Sequence, residues 1–285
     1  MISARQKSIR RPFMLHNAPL FFAHRGGSLL RPENTLVAFE HGMACGADAL
    51  ELDIQQTRDG ELVVIHDPTL DRTTSGSGLV ASYSLDEVRA FDAGYHFTPD
   101  NGATFPHRGL GLTVPTLRQV FERFPDTRIN IDLKESTPDR EARLWALIQE
   151  FAAENRICAG CFTHAALVRF RRLTGGRVAT SASPREVRSF VLGAVSHMTS
   201  WLRPAYDALQ VPDTYGSVRI VSRTTVEAAH RLGIDVHVWT VDERSHMEAL
   251  LALGVDGLMT DQPEILADVL AKNPLRTPRN KPTRF

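Results

Sequence analysis

The chain has 285 residues, of which 42% are apolar and 23% are charged, an ordinary composition for a soluble globular protein. Its 33 Lys and Arg residues balance 33 Asp and Glu residues, so no bulk positive charge favours nucleic acid as a partner. No apolar run approaches the roughly 18 residues of a transmembrane helix. The basic N-terminus lacks the apolar core and cleavage site of a secretory leader. We therefore expect a cytoplasmic protein.

Both ends of the chain have the composition of tails. Residues 1–12 carry four basic side chains and no acidic one, and residues 272–285 are basic and contain three prolines. We expect both ends to be loosely ordered and solvated, with weak attraction to an anionic membrane surface as the alternative. The predicted domains are a basic tail over residues 1–18, a barrel over residues 19–271 and a second basic tail over residues 272–285.

Short runs rich in Val, Ile and Leu recur between the two ends, and helix-like segments separate most of them. The nine runs are LFFAH, ALELDI, LVVIHD, RINIDLK, CAGCFT, RVATSA, ALQVP, DVHVWTV and GLMTD. Strands that alternate with helices predict a parallel sheet. About eight such units without a Gly-x-Gly-x-x-Gly motif favour an α/β fold of the closed (β/α)8 type, a TIM barrel, over a doubly wound sheet.

The second and third runs break this alternation. Only a few residues separate them, whereas a parallel crossover needs about a dozen. Asp59-Gly60 lies between them and is a strong signal for a two-residue hairpin turn. We therefore predict that strand two runs past the barrel rim, turns and comes back. Counting outward from that turn places Asp53 opposite His66, with both side chains on one face.

Charged side chains and histidines lie at or near the ends of the first four runs. Catalytic groups of such barrels come from the C-terminal ends of several strands. A carboxylate is also costly to bury inside an apolar strand unless it has a partner. We therefore expect these side chains to form one site: His24, Arg25, Glu51, Asp53, His66, Asp132 and Lys134.

This set of side chains has a coherent chemistry. Three carboxylates without a thiolate form an oxygen-ligand site for a hard cation, Mg²⁺ or Ca²⁺. An arginine and a lysine suit a phosphate group. Two histidines can supply a general base and a general acid near neutral pH. Cleavage of a phosphodiester needs all of these contributions.

Other signals have a structural explanation beside the functional one. Trp239 ends a late strand and shares a face with His237, so it either walls a substrate pocket or packs in the core. The remaining histidines, His16 among them, lie mostly in helical or loop segments and are expected at the surface or in packing. Cys158 and Cys161 form a C-x-x-C pattern in an apolar stretch, and we expect buried thiols rather than a redox or metal pair.

A long segment of the chain resembles the opening of the glycerophosphodiester phosphodiesterases. It reads AHRGGSLLRPENTLVAFEHGMACGADALELDIQQTRDGELVVIHDPTLDRTTSGSG, and the pieces PTLRQVF, INIDLK, VHVWTVD and GVDGLMTDQP extend the resemblance over about residues 20–265. The His-Arg, Pro-Glu-Asn-Thr, Glu-x-Asp and His-Asp elements occur in the family's order and spacing. The resemblance implies a TIM barrel with an insertion after the His-Asp element, here about residues 73–115, which caps the site and helps to choose the substrate.

The resemblance also implies a metal site. Glu51 and Asp53 match the family's metal ligands. Asp132 stands where the family usually has Glu in its Glu-x-Lys element, and it is one methylene shorter. We therefore expect Asp132 to bind the metal directly, through a water molecule, or with the metal displaced toward its strand.

By the same resemblance, His24 and His66 match the acid–base pair, and Arg25 and Lys134 match the phosphate contacts. We expect hydrolysis of a small glycerophosphodiester to glycerol 3-phosphate and an alcohol such as choline or ethanolamine. The nucleophile is water or the glycerol 2-hydroxyl, and the sequence leaves this choice open. The alternative functions are a lysophospholipase D and a phosphate-binding barrel that has lost catalysis.

Overall fold

The computed structural model describes residues 10–134 and 137–273. In this part of the chain the strands are β1 Leu20–His24, β2 Ala49–Gln56, β3 Leu62–Val64, β4 Arg128–Leu133, β5 Ile157–Gly160, β6 Ala179–Thr180, β7 Ala208–Val211, β8 Thr214–Tyr215, β9 Val218–Arg219, β10 Asp235–Val238 and β11 Gly257–Thr260. The helices are α1 Leu36–Ala44, α2 Leu85–Arg89, α3 Leu117–Arg123, α4 Pro138–Glu150, α5 His164–Leu173, α6 Pro184–Val195, α7 Arg223–Leu232, α8 Arg244–Ala252 and α9 Pro263–Ala271. Short 3₁₀ turns lie at Pro12–Met14, Val80–Ser82, Glu154–Arg156 and Thr199–Trp201.

Eight parallel strands form the predicted TIM barrel. Their order is β6-β5-β4-β2-β1-β11-β10-β7, and a parallel bridge between Ser181 and Ala208 joins the two ends. Each of the nine predicted runs contains a strand, and the short β8–β9 hairpin adds to them. None of the helices within the described ranges is long and apolar enough to cross a membrane.

The barrel has an inner and an outer apolar layer, because successive strand residues point to opposite faces. Leu20 and Phe22 of β1 lie in the inner cluster with Met259, whereas Phe21 and Ala23 lie in the outer cluster beneath the helices. The last β1 side chain that points into the barrel is therefore His24, which lies in the C-terminal mouth. The outer layer makes up most of the apolar core.

Both cysteines of the C-x-x-C pattern are free and buried, as expected from the sequence. Cys158 lies in the inner cluster and Cys161 in the outer one. Burial raises the pKa of each thiol, so both side chains are neutral packing groups near pH 7.

The second and third runs form the predicted hairpin, but the predicted register is wrong by one residue. Ile54 pairs with Val64, and the Ile65 amide donates to the Asp53 carbonyl at 3.0 Å. The loop therefore has three residues rather than two. Gly60 adopts a left-handed conformation with φ +92°, as in a type I turn followed by a bulge. An Asp-Gly pair suits both loop lengths, so it does not fix the register.

An insertion between β3 and α3 has a small apolar core of its own. It contains one 3₁₀ turn and α2, and its buried core residues are Val63, Ile65, Leu70, Val80, Val88, Ala93 and Val114. Arg58 of the hairpin donates to the Ser82 carbonyl at 2.7 Å and pairs with Glu87 at 2.9 Å. These contacts hold the insertion against the hairpin between β2 and β3.

The segment before β1 packs under the barrel. Phe13 and Met14 are 0% and 2% exposed and join the inner cluster. Arg128 donates to the carbonyls of Phe13 and Leu15 at 3.1 and 2.8 Å. The packed region therefore begins before residue 19, where the sequence places the boundary of the tail. The rest of the predicted tails, residues 1–9 and 274–285, lies outside the described residues.

This packing predicts that Phe13→Ala lowers the free energy of unfolding by about 3–5 kcal/mol, because it opens a cavity beneath the inner core. Leu15→Ala is the matched control, since Leu15 is 57% exposed and its loss should cost about 0.5 kcal/mol or less. Urea unfolding measures both values. Equal, small effects in the two variants would show that the segment is not part of the folded unit.

Candidate active site

A tight turn at the end of β1 positions the first two side chains of the site, His24 and Arg25. Arg25, Gly26 and Gly27 all have positive φ, at 50°, 85° and 105°. A Cβ on Gly26 would lie 2.5 Å from the Ala38 carbonyl carbon of α1, so only glycine allows this approach. The Arg25 amide, turned inward, donates to Glu51 Oε2 at 3.1 Å. The His-Arg-Gly-Gly sequence is therefore the turn that holds both side chains in the mouth.

His24 lies between two carboxylates. Its Nδ1 lies 2.7 Å from Asp261 Oδ1, and its Nε2 lies 3.8 Å from Glu51 Oε2. Burial acts to lower the pKa of His24, but Glu51 and Asp261 outweigh burial and raise that pKa to about 9. The imidazole is therefore a cation near pH 7, with its orientation fixed by Asp261.

The two carboxylates of β2 differ in how well they are neutralised. Burial and the nearby Asp53 raise the pKa of Glu51 to about 7. Burial also acts to raise the pKa of Asp53, but Lys134 and Arg25 outweigh it and lower that pKa. Asp53 Oδ1 lies 2.8 Å from Lys134 Nζ, and Asp53 Oδ2 lies 3.2 Å from Arg25 Nε. Asp53 is thus the paired carboxylate, and Glu51 the under-neutralised one.

Asp132 lies beside Asp53, because the two residues are register partners on β4 and β2. The Lys134 ammonium lies between them, 2.5 Å from Asp132 Oδ2 and 2.8 Å from Asp53 Oδ1. Burial raises the pKa of Asp132 despite this contact. The buried Asp53 and the partly buried Asp132 therefore share one lysine, and only Asp53 has a second cation, Arg25.

His66 belongs to the same site. Its Nδ1 donates to Asp67 Oδ1 at 2.5 Å, and Asp67 accepts from Arg72 Nε at 2.6 Å. Arg72 of the insertion pairs with Glu33 at 2.7 Å, and Glu33 pairs with Arg25 at 3.0 Å. One hydrogen bond and a series of ion pairs therefore connect the second histidine to the turn after β1.

The one-residue error in the hairpin register does not remove His66 from the cluster. The regular pairing of β3 ends at Val64, and the chain bends at His66. The His66 ring acts electrostatically on both carboxylates: it helps to lower the pKa of Asp53, and it opposes the burial that raises the pKa of Asp132. The bend, rather than strand alternation, therefore brings this side chain to the carboxylates.

The cluster has an excess of negative charge. Six carboxylates are joined through ion pairs to three Arg or Lys cations and the protonated His24, which leaves two negative charges when Glu51 is ionised and His66 is neutral. The carboxylates are those of Glu33, Glu51, Asp53, Asp67, Asp132 and Asp261, and the cations are those of His24, Arg25, Arg72 and Lys134. A pure oxygen donor set with this charge fits a hard divalent cation.

Trp239 lies at the end of β10, on another side of the mouth. It is partly buried against the inner cluster, and its ring contacts Phe162 edge-on with centroids 6.4 Å apart. Phe162 follows β5 and is 60% exposed. Trp239 also lines a cavity of about 360 Å³ whose other lining residues, such as Pro212 and His246, are not members of the charged cluster. The packing of Trp239 against the inner cluster agrees with the core role considered from the sequence, and its role as the wall of a substrate pocket stays a prediction.

Several residues of the cluster were not identified from the sequence. Asp261 follows β11 on the same face as Met259, so alternation along GLMTD was an available signal. Asn34 has φ 57° and donates to Asp53 Oδ2 at 2.9 Å, a contact between distant residues that no local pattern shows. Glu33 and Arg72 meet only because the insertion folds over the turn after β1.

Comparison with known proteins gives a family match over most of the chain. Residues 24–265 match the model of the glycerophosphoryl diester phosphodiesterase family. The chain is 34% identical to the glycerophosphodiester phosphodiesterase of Caldanaerobacter subterraneus over 259 residues, which are 89% of this chain and 98% of that protein.

Solved structures show the same fold. A glycerophosphodiester phosphodiesterase from Agrobacterium tumefaciens has a TM-score of 0.70 at 26% identity, over 88% of this chain and 99% of that one. An Oleispira antarctica phosphodiesterase, solved with the product sn-glycerol-3-phosphate, has a TM-score of 0.71 at 23% identity, over 90% and 98%. The chain studied here belongs to the glycerophosphoryl diester phosphodiesterase family.

Proposed function

We propose that this chain hydrolyses small glycerophosphodiesters to sn-glycerol 3-phosphate and an alcohol at the charged cluster of the barrel mouth. The observation that carries the proposal is the pair of histidines. Each has its own carboxylate partner, Asp261 for His24 and Asp67 for His66, and both act electrostatically on the carboxylates of the cluster. Family membership and the product bound in the Oleispira antarctica structure support this substrate class.

Glu51, Asp53 and Asp132 would hold a hard divalent cation, Mg²⁺ or Ca²⁺, which when bound neutralises phosphoryl oxygens in the transition state. Asp132 would be the weak or water-bridged ligand, because its side chain is one methylene shorter than the family's usual Glu. The excess of negative charge in the cluster supports the binding of a divalent cation, since one such ion would cancel it.

Arg25 and Lys134 would bind the phosphate group. Without substrate, each of these cations is paired with Asp53. A phosphodiester that enters the mouth offers anionic oxygens to the guanidinium fork and to the ammonium. Because Glu33 also pairs with Arg25 at 3.0 Å, the guanidinium keeps its orientation while it exchanges partners.

The two histidines would divide the proton transfers. Both nitrogens of His24 face carboxylates, which favours the doubly protonated ring and suits it to protonate the leaving alkoxide. The Nδ1 of His66 donates to Asp67, which in the neutral ring leaves the lone pair on Nε2, as a general base requires. The base would take its proton from water or from the glycerol 2-hydroxyl.

Trp239 and Phe162 would form the apolar wall against which the alcohol portion of the substrate lies.

The two alternative functions, a lysophospholipase D and a barrel that has lost catalysis, predict different outcomes in one turnover assay. A lysophospholipase D would turn over lysophosphatidylcholine faster than glycerophosphocholine, and a barrel that has lost catalysis would turn over neither with Mg²⁺ or Ca²⁺ added. We expect glycerophosphocholine to be the better substrate.

Replacing either histidine should remove most of the activity. His24→Ala and His66→Ala should each lower kcat about 10²–10⁴-fold, the usual contribution of a general acid or base, with circular dichroism unchanged. His230→Ala is the control, since His230 lies on the outer helix α7 and is partly exposed. Wild-type turnover in either cluster variant would exclude that histidine from the mechanism.

The acid role of His24 predicts a pH shift. Asp261 helps to raise the pKa of His24 to about 9, and a general acid is active only below its pKa. Asp261→Asn should therefore move the alkaline limb of the pH–kcat profile to lower pH, while Asp139→Asn, at an exposed position of α4, should not. An alkaline limb that stays in place in Asp261→Asn would contradict the acid role.

Chelation should abolish turnover, and Mg²⁺ or Ca²⁺ should restore it better than Zn²⁺, because the proposed ligands are all oxygens. Asp132→Glu should retain activity, and Asp132→Ala should weaken cation binding in calorimetry. Lys134→Ala should raise KM for the substrate without weakening cation binding, because it removes a positive charge that competes for Asp53 and Asp132. If activity survives exhaustive chelation, the metal role is wrong, and if Asp132→Ala binds the cation as tightly as the parent, Asp132 is not a ligand.

A further inference from the structure

A second group of potential ligands lies at the opposite end of the barrel. Asp235 and His237 occupy the inner face at the start of β10, and both are buried, at 3% and 0% exposure. His16 reaches them from the segment that packs under the barrel. One nitrogen from each ring and one oxygen of Asp235 all lie within 4.8 Å of one another. We call this group the basal cluster.

His237 supplies an unpaired atom in the basal cluster. Its Nδ1 lies 3.3 Å from the amide nitrogen of Gln210, but its buried Nε2 has no hydrogen-bond partner among the described residues. The nearest acidic oxygen, Asp235 Oδ2, lies 3.9 Å from Nε2. Fully buried polar atoms are almost always paired, so this atom indicates a position where a ligand belongs.

His16 is arranged as metal-binding histidines usually are. Its Nδ1 lies 2.8 Å from the Ala18 carbonyl oxygen, which can only accept, so Nδ1 carries a proton. Its Nε2 points at Asp235 Oδ2 from 2.8 Å. Metal-bound histidines typically donate their other ring N–H to a carbonyl or carboxylate. A cation between Nε2 and Asp235 would replace the proton that now joins them.

We propose that His16, Asp235 and His237 bind a divalent transition metal of the Zn²⁺ class at the base of the barrel. Two imidazoles and one carboxylate are typical ligands for such an ion, with water completing the tetrahedron. The donor set differs from the oxygen-only cluster in the mouth, so the two sites should select different ions. This site is independent of the proposed function and would be structural, because the active sites of TIM barrels lie at the other end of the barrel.

An ion can reach the basal cluster from the segment that packs under the barrel. The side chain of His16 is 11% exposed and that of Arg10 is 41% exposed, which places the entrance along the segment under the barrel. Arg10 pairs with Asp235 through Oδ1, which leaves Oδ2 for the ion.

The bound ion would fasten the segment under the barrel to β10. His16 follows Phe13 and Met14, which close the inner core from below, and Asp235 and His237 are fixed in the sheet. A metal bond from His16 to β10 would therefore oppose local opening at this end. Binding of the ion should therefore be measurable as a gain in stability, independently of turnover.

The test uses the metal-stripped full-length chain titrated with Co²⁺, followed by visible absorption. We expect one saturable site with the intense bands of tetrahedral Co²⁺, which Zn²⁺ displaces. His16→Ala should weaken Co²⁺ binding about tenfold or more. His41→Ala is the matched control, because it removes a histidine from the other His-containing group of possible ligands in the described residues, His41, Cys45 and Glu264.

A second measurement, the change in Tm on addition of Zn²⁺, separates loss of the metal site from any effect of His16→Ala on folding. Zn²⁺ should raise the Tm of the parent and of Asp132→Ala, but not of His16→Ala, whatever the baseline Tm of each variant. Turnover with Mg²⁺ should be the same in His16→Ala as in the parent, so failure at this site is distinguishable from failure of the proposed activity. Absence of tetrahedral Co²⁺ bands, or equal affinity in the parent and His16→Ala, would overturn the proposal.

Discussion

The burial of Asp53 is the constraint on which the rest of the site depends. Its side chain is 1% exposed, and an unpaired carboxylate at that depth would be too costly to keep ionised. Arg25, Lys134 and Asn34 satisfy its two oxygens. Each of these three partners needs a particular backbone: the left-handed turn after β1, the end of β4, and the left-handed Asn34 between β1 and α1.

The same pairing explains why the site has spare negative charge. Arg25 and Lys134 are both committed to Asp53, and Lys134 is also shared with Asp132. Glu51 is left with the Arg25 amide and the more distant His24 ring, and its pKa rises to about 7. A divalent cation beside Glu51 would relieve this imbalance and would free the two protein cations to bind a phosphate.

Much of the fold could be predicted from the sequence, because barrel strands are apolar on both faces and stand out as continuous runs. The placement of Glu51, Asp53 and Asp132 could be predicted as well, since alternation along a strand is a local property. The hairpin register could not, because Asp-Gly suits two loop lengths. The segment around Phe13 was assigned to a tail because basic neighbours dominate its composition, although its apolar residues fill the base of the barrel.

A crystal structure grown with Ca²⁺ and sn-glycerol 3-phosphate tests the central claim most directly. The account predicts one cation bound by Glu51 and Asp53 through oxygen ligands at about 2.3–2.6 Å, with the phosphate on Arg25 and Lys134 and the His24 and His66 rings facing it. A cation bound elsewhere, or a phosphate held away from Arg25 and Lys134, would contradict the account.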